Sequence, residues 1–265
     1  MSRFAHLSDL HLVAPFAWRE WRRHCDWRPR SALALANWFW RRRRQQHNEN
    51  LAAALTAIIA ARADFVVITG DLTQCGRAVD FAFFLDQMAP LRRAQIPTLL
   101  LAGNHDFYFH PAPAENFAAL RRELSLDLRW DGKPLRVGDV DLLPVDGARV
   151  VPLAQAWGEA AALDELKTAW RALPPAPAQT RVAAGHFPLR DAANNFLPEA
   201  TRLNGGDAVL DLLAAEVAAY LCGHIHRPFT TVLPGGVRQH CAGSITLGGK
   251  MNLFSATGGK FIVES

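Results

Sequence analysis

The sequence predicts an α/β protein built on a largely parallel sheet, and three observations point there. Continuous apolar runs of strand length, such as Phe65-Val66-Val67-Ile68-Thr69 and Thr98-Leu99-Leu100-Leu101, recur along the chain. Between them lie segments whose apolar residues are spaced for a helix, and helix followed by buried strand is the unit of a parallel sheet. Polar residues then cluster where these strands end, the place where open α/β sheets put their ligands.

At 265 residues the chain can bury a large core, and polar clusters spread from residue 9 to residue 226 favour one domain over residues 1–265. Hydrophobic residues make up 50% of it. No stretch approaches the roughly 20 continuous apolar residues needed to span a bilayer. Met1-Ser2-Arg3 leads into the first strand without a signal-like apolar region, so a cytoplasmic location is expected. Cys25, Cys75, Cys222 and Cys241 show no CxxC spacing and are expected to be reduced, mostly buried thiols. The net charge of +4 hides an asymmetry: residues 15–45 carry nine Arg against Glu20 and Asp26, a local +7 that leaves 4 − 7 = −3 elsewhere. The pI near 9.1 therefore reports one basic segment and implies a localised anionic partner.

In chain order, Arg3 to Leu7 forms the first strand and ends in Asp9 and His11, two residues apart. In extended chain such residues point to the same side, so both can reach one ion. Residues 15–45 then interrupt the expected strand-to-helix connection with Trp18, Trp21, Trp27, Trp38 and Trp40, five of the eight Trp, interleaved with Arg. Plotted at helical spacing, Arg30, Asn37, Arg41 and Arg44 share one face, Ala32, Leu35 and Phe39 oppose it, and Trp38 and Trp40 flank it. With Arg41, Arg42, Arg43 and Arg44 at its end, this predicted amphipathic helix suits either a membrane interface with anionic lipid or a helical cap packed on the body. A nucleic-acid patch is a third reading and is not expected; nothing points to a protein partner.

Residues 47–62 read as a helix, followed by the strand Phe65 to Thr69 and Gly70-Asp71 at its end. Phe81, Phe84, Leu85, Met88 and Leu91 predict the next helix, with Met88 in the core, and Ile96 to Ala102 the next strand, which ends in Gly103-Asn104-His105-Asp106. A helix to about Leu124 precedes two short strands expected to be antiparallel, Leu135 to Val137 and Val140 to Val145. Ala160 to Leu173 is a helix ending at Pro174, Arg181 to Ala184 a strand ending in Gly185-His186-Phe187-Pro188, and Asp207 to Leu213 a helix. Val217 to Leu221 leads into Gly223-His224-Ile225-His226, and Phe229 to Leu233, Val237 to Cys241 and Lys260 to Val263 are expected to form a β-meander. Arg190, Asn194 and Asn195 follow the His186 strand, either touching substrate or simply solvated.

Asp9, His11, Asp71, Asn104, His186, His224 and His226 offer only oxygen and imidazole nitrogen. They are too many for one tetrahedral zinc, and suit two five- or six-coordinate ions such as Mn²⁺, Fe or Zn²⁺ with one carboxylate shared.

Asp-x-His, Gly-Asp, Gly-Asn-His-Asp, Gly-His-x-Pro and Gly-His-x-His, in this order from Phe4 to about His226, resemble the calcineurin-like metallophosphoesterases. The resemblance implies a four-layer α/β/β/α sandwich with a helical insertion after the first strand and a dinuclear site at the sheet ends. It implies that Asp9, His11, Asp71 and His226 hold one ion, that Asp71, Asn104, His186 and His224 hold the other, and that Asp71 bridges. Two divalent ions, two carboxylates and a hydroxide sum to about +1, which attracts a phosphate ester. In the resemblance His105 faces the leaving oxygen as a catalytic residue, and Asp106 orients its imidazole, although a turn-capping role for Asp106 fits the sequence equally. Many relatives carry two adjacent His before the Pro; here His186 aligns with the ligand, and Phe187 shapes the leaving-group side.

For substrate, the insertion resembles that of UDP-2,3-diacylglucosamine pyrophosphatases of lipid A synthesis, which release UMP and a lipid 1-phosphate. An acyl-chain cap and peripheral attachment to the inner membrane are then expected. The alternative is a class III cyclic-nucleotide phosphodiesterase, which shares the ligands and resembles this chain at Ala156-Trp157-Gly158-Glu159. A non-catalytic phosphoesterase-like scaffold would need missing ligands, and none is missing.

Overall fold

The strands that carry the polar clusters divide between two sheets. The structure is a computed structural model and describes residues 1–16, 18–20, 35–36, 38–40, 42–107, 112–145, 158–159, 163–248 and 250–264. β1 (Ser2–Leu7), β2 (Phe65–Thr69) and β3 (Thr98–Leu101) run parallel, and β12 (Asn252–Thr257) and β13 (Lys260–Glu264) extend this sheet antiparallel beyond β1. The second sheet has the order β10 (Phe229–Val232), β11 (Arg238–Cys241), β9 (Ala219–Cys222), β7 (Thr180–Gly185), β5 (Val140–Val145), β4 (Leu135–Val137). Its β5, β7, β9 and β11 are parallel, while β4 and β10 close its edges antiparallel. A small parallel pair, β6 (Gly158–Glu159) and β8 (Leu203–Asn204), stands apart.

Alternation along the strands sorts side chains into three cores. On β2, Phe65 and Val67 face the second sheet and pack with Phe4, Leu99, Val182 and Leu221; Val66 and Ile68 face outward. There they meet Leu51, Leu55 and Ile58 of α1 (Asn48–Ala60) and Phe81 and Phe84 of α2 (Ala78–Gln87). This layer also includes Leu91 of α3 (Ala89–Arg93) and Phe117 and Leu120 of α4 (Ala112–Leu124). On the far side, Leu166 and Trp170 of α5 (Leu163–Arg171) and Val209 and Leu213 of α6 (Gly206–Glu216) cover Leu143, Ala183 and Tyr220. Helix, sheet, sheet, helix is the expected four-layer order. Met88 is fully buried, as a core residue should be.

The expected C-terminal meander is not there. Phe229–Val232 and Arg238–Cys241 pair in the second sheet, whereas Lys260–Glu264 pairs with Asn252–Thr257 in the first. The chain crosses between sheets at residues 242–251, where Ser244 and Thr246 hydroxyls donate to the carbonyls of Asp9 and Leu10 at 2.6 and 2.9 Å. Those side-chain bonds have no periodic signature, so the crossing was hidden. The one helix expected from Phe81 to Leu91 is two, α2 and α3, which meet at Met88, with Pro90 in the first turn of α3.

Of the Trp/Arg insertion, residues 35–36 and 38–40 are helical and Arg42–Arg44 make a single 3₁₀ turn. Trp21, Trp27, Arg30, Ala32, Asn37 and Arg41 lie outside the described residues, as do Ala156 and Trp157. Leu35 is buried, Trp38 stacks on Phe16 with centroids 5.6 Å apart, and the Trp38 indole donates to Gln46 at 3.0 Å. Trp38 therefore packs on the body, and its polar edge is already bonded within the protein. Trp40 stays 64% exposed. No helix among the described residues is long and apolar enough to cross a membrane.

Candidate metal centre

Each polar cluster leaves the C-terminal end of a parallel strand, so β1, β2 and β3 on one side and β7 and β9 on the other aim their loops at one point. The first two loops zip together: Asp9 N–H donates to the Gly70 carbonyl, His11 N–H to Asp71, Leu12 N–H to Leu72 and Gln74 N–H to Leu12, all within 3.1 Å. Asp80 braces this pair from outside, accepting the Ala14 N–H at 2.9 Å and both ends of the Arg77 guanidinium.

The expectation that Asp9 and His11 converge through strand alternation is incorrect. Both are left-handed, with φ of 53° and 49°, and so are Asp71, His224 and His226 at 51°, 71° and 58°. A left-handed residue turns the chain sharply, at a cost of about 1–2 kcal/mol for a side chain other than glycine. Here the turns bring Asp9 Oδ1 within 3.7 Å of His11 Nε2, while Leu10 between them drops into the core.

Two groups result. In the first, His11 Nε2 lies 3.6 Å from Asp71 Oδ2 and 2.8 Å from His226 Nε2, and His226 Nε2 lies 3.4 Å from Asp9 Oδ1. In the second, His186 Nε2 lies 3.4 Å from Asp71 Oδ2 and 3.2 Å from both Asn104 Oδ1 and His224 Nδ1. Asp71 belongs to both groups. All seven residues thus come together, in two groups that share Asp71.

Divalent cations fit this donor set. Asp9 and Asp71 are fully buried carboxylates, and burial opposes their charge. The surrounding imidazoles nevertheless hold both well below the usual carboxylate range. Burial pushes His11 and His224 down to about 3, so both are neutral and able to ligate. Burial also disfavours charge on His186, yet Asp71 and then Asp9 push it up to about 10: the carboxylate pair demands positive charge there. Asp9 Oδ1 is buried with no hydrogen-bond partner, and two Nε2 atoms facing each other at 2.8 Å suit ligands of one cation.

The second shell fixes these side chains. The Thr69 carbonyl accepts from His186 Nδ1 at 2.7 Å, turning Nε2 inward, and the His105 N–H donates to Asp71 Oδ1 at 2.8 Å. Gly103 is required because a Cβ would lie 2.1 Å from Asp71 Oδ1.

A family model of the calcineurin-like phosphoesterases matches residues 2–228. The chain belongs to that family. Among solved structures, a dimetal phosphatase from Danio rerio superposes with a TM-score of 0.63 at 14% identity, covering 100% of this chain and 99% of its own. TT1561 of Thermus thermophilus gives 0.58 at 14% identity, with 100% and 98% covered. Purple acid phosphatase PPD1 from yellow lupin (Lupinus luteus) seeds gives 0.59 at 12% identity, covering 96% of this chain and 49% of its own. At these identities the likeness concerns fold. No curated protein matches the chain in sequence. Family membership together with the two clusters makes this calcineurin-like phosphoesterase a hydrolase of phosphate esters that depends on divalent metal.

Of the two roles open to Asp106, the hydrogen bonds favour capping the turn over orienting His105. The Asp106 carboxylate accepts N–H groups from Gly103, Leu72 and Thr73 at 2.9, 3.2 and 3.0 Å and the Thr73 hydroxyl at 3.4 Å. It is the clasp between two metal-binding loops. Burial and the nearby Asp71 charge push it up to about 7 against those bonds. The His105 ring is held instead by Gln74, whose carbonyl accepts from Nδ1 at 2.8 Å and whose amide lies 3.2 Å away. That ring stands edge-on to His11 with centroids 4.7 Å apart. Sequence reasoning missed Gln74, Thr69 and Asp80, which act through backbone groups or from outside the motifs. Phe187 is buried against His186 and His224, with centroids 4.9 and 4.6 Å away.

Proposed function

We propose that this phosphoesterase cleaves the pyrophosphate bond of UDP-2,3-diacylglucosamine, releasing UMP and the lipid 1-phosphate in lipid A synthesis. The observation that carries this reading is a cavity of about 490 Å³ beginning two residues after His11. Val13, Pro15, Phe16 and Trp38 give it apolar walls, and Arg43, Gln46 and Asn48 a polar rim. Its size lies within the roughly 300–1,000 Å³ of small-molecule pockets, and apolar walls beside a cation suit acyl chains joined to phosphate. Exposed Trp40, with Arg43 and Arg44, supports peripheral contact with anionic lipid on the cytoplasmic face.

In this reading two divalent ions, Mn²⁺ in preference to Fe or Zn²⁺, supply Lewis acidity at the phosphoryl oxygens and lower the pKa of the attacking water. Asp9, His11, Asp71 and His226 would hold one, and Asp71, Asn104, His186 and His224 the other. The Gln74 carbonyl takes the Nδ1–H of His105, so Nε2 is the nitrogen left to face the leaving oxygen, and as an imidazolium the ring would donate its Nε2 proton there as the bond from that oxygen to phosphorus breaks.

The test is UMP release from UDP-2,3-diacylglucosamine by the Mn²⁺-loaded protein, beside cyclic AMP hydrolysis and with His105→Ala as control. UMP release lost in the variant is the expected result. Opening of cyclic AMP without UMP release would assign the cyclic-nucleotide activity and reduce the insertion to a structural cap.

A further inference from the structure

A second cavity, of about 150 Å³, is lined by the segment that follows His186. Its walls include Arg190, Phe196, Leu197, Arg202, Leu203 and Asn204. Leu189, also in the wall, is two residues from Phe187, whose ring touches His224. Two residues span at most about 7 Å, so the Leu189 wall of the cavity lies within a nucleotide's length of His224.

The wall is rigid where it needs to be. The buried Gln239 side chain accepts the Leu189 N–H at 2.8 Å and donates to the Arg190 carbonyl at 2.8 Å, clamping the loop from both sides. Arg190, only 8% exposed, is held by Asp207 at 2.9 Å and lies 4.0 Å from the centroid of the Phe196 ring. That guanidinium braces one face of Phe196. The ring is nonetheless 61% exposed, which leaves its other face open. Arg202 and Asn204 add donors and an acceptor at the same wall, and among the described residues Arg202 makes no ion pair.

A braced aromatic with a free face, beside a spare guanidinium and an amide, has the recognition chemistry of a planar heterocycle. We infer that this cavity seats a single-ring pyrimidine base of the substrate: the ring stacks on Phe196, Arg202 donates to a ring carbonyl, and Asn204 pairs with the imide edge. The volume favours one six-membered ring, since a cavity of about 150 Å³ accommodates benzene. The inference rests on the nucleotidyl substrate proposed above. It adds that the two halves of that substrate diverge from the metals, with apolar chains toward Trp38 and the base toward Phe196.

Equilibrium binding to the full chain loaded with Mn²⁺ tests this with UMP, AMP and ribose 5-phosphate, which share one phosphate and differ in the base. UMP is expected to bind about tenfold more tightly than ribose 5-phosphate or AMP, and Phe196→Ala to bring UMP to the ribose 5-phosphate level. Phe196 is exposed, so the variant should fold; Arg202→Ala is a second, independent probe and should weaken UMP alone. Equal binding of UMP and ribose 5-phosphate, AMP as tight as UMP, or a gap that survives Phe196→Ala would overturn the assignment. A base-dependent gap without UMP release from the lipid would sink the proposed substrate and keep this site; release without a gap would do the reverse.

Discussion

The two sheets supply different chemistry to the same centre. The first gives Asp9, His11, Asp71 and Asn104, which include both carboxylates; the second gives His186, His224 and His226, imidazoles alone. Neither set is a metal site by itself. They meet because the inner faces pack through Phe4, Phe65, Val182 and Leu221, and because each sheet grips the other's ligands. His186 Nδ1 donates to the Thr69 carbonyl at 2.7 Å, and the His224 N–H donates to Asp9 Oδ2 at 2.8 Å. Glycines allow this approach: a Cβ on Gly70 would lie 2.7 Å from His186 Nδ1, and one on Gly223 would lie 1.8 Å from Ser8 Oγ. The centre is thus a product of sheet-on-sheet packing, and cations held there would staple the layers.

The largest way to break this division is at the residue both clusters share. Asp71→Ala removes the carboxylate that serves both groups, and activity should fall by about 10³-fold or more. Metal content by elemental analysis should drop below two ions per chain, and near-normal turnover with two ions retained would refute the shared role. Next comes the contact between the sheets. Gly223→Ala drives a methyl into Ser8 and Asp9 in the opposite layer. Chemical denaturation should show about 2–3 kcal/mol of lost stability, with weakened metal uptake. An unchanged midpoint would mean that the layers do not depend on this close approach.

Removing metal sharpens the comparison without mutation. If cations bridge the sheets, saturating them at about 100 times Kd contributes about 2.7 kcal/mol. For a chain of this size, EDTA should lower the melting temperature by about 5–10 °C, and Mn²⁺ should restore it. A melting curve indifferent to EDTA would separate the centre from the stability of the sandwich.

What the sequence made legible follows the same division between side chains and backbone. Asp9, His11, Asp71, Asn104, His186, His224 and His226 were readable as candidate ligands because metal binding restricts residue type, and their strands were readable from apolar runs such as Phe65–Thr69. The left-handed turns at Asp9 and Asp71 were not, since Asp is common in many loops. The crossing between sheets at residues 242–251 was hidden for a related reason: Ser244 and Thr246 hold it by bonding to carbonyls of a segment more than 200 residues earlier. The Arg/Trp segment carried the strongest composition signal, yet composition gave no way to distinguish buried Trp38 from exposed Trp40.

The smallest expected effect separates two neighbours that the sequence linked. If Asp106 oriented His105, altering the groups around the ring would leave catalysis largely intact so long as Asp106 remained. The structure instead gives Asp106 to three backbone amides and His105 to Gln74. Within Gln74 the nearer contact is the main-chain carbonyl at 2.8 Å, and the side-chain amide is secondary at 3.2 Å. Gln74→Ala keeps the carbonyl and deletes the amide, so kcat should fall by only about threefold, with metal content unchanged. A hundredfold loss would transfer the orienting role to the side-chain amide. No loss at all would leave the carbonyl as sufficient support, and the ring would then be positioned entirely by backbone from the loop that also delivers Asp71.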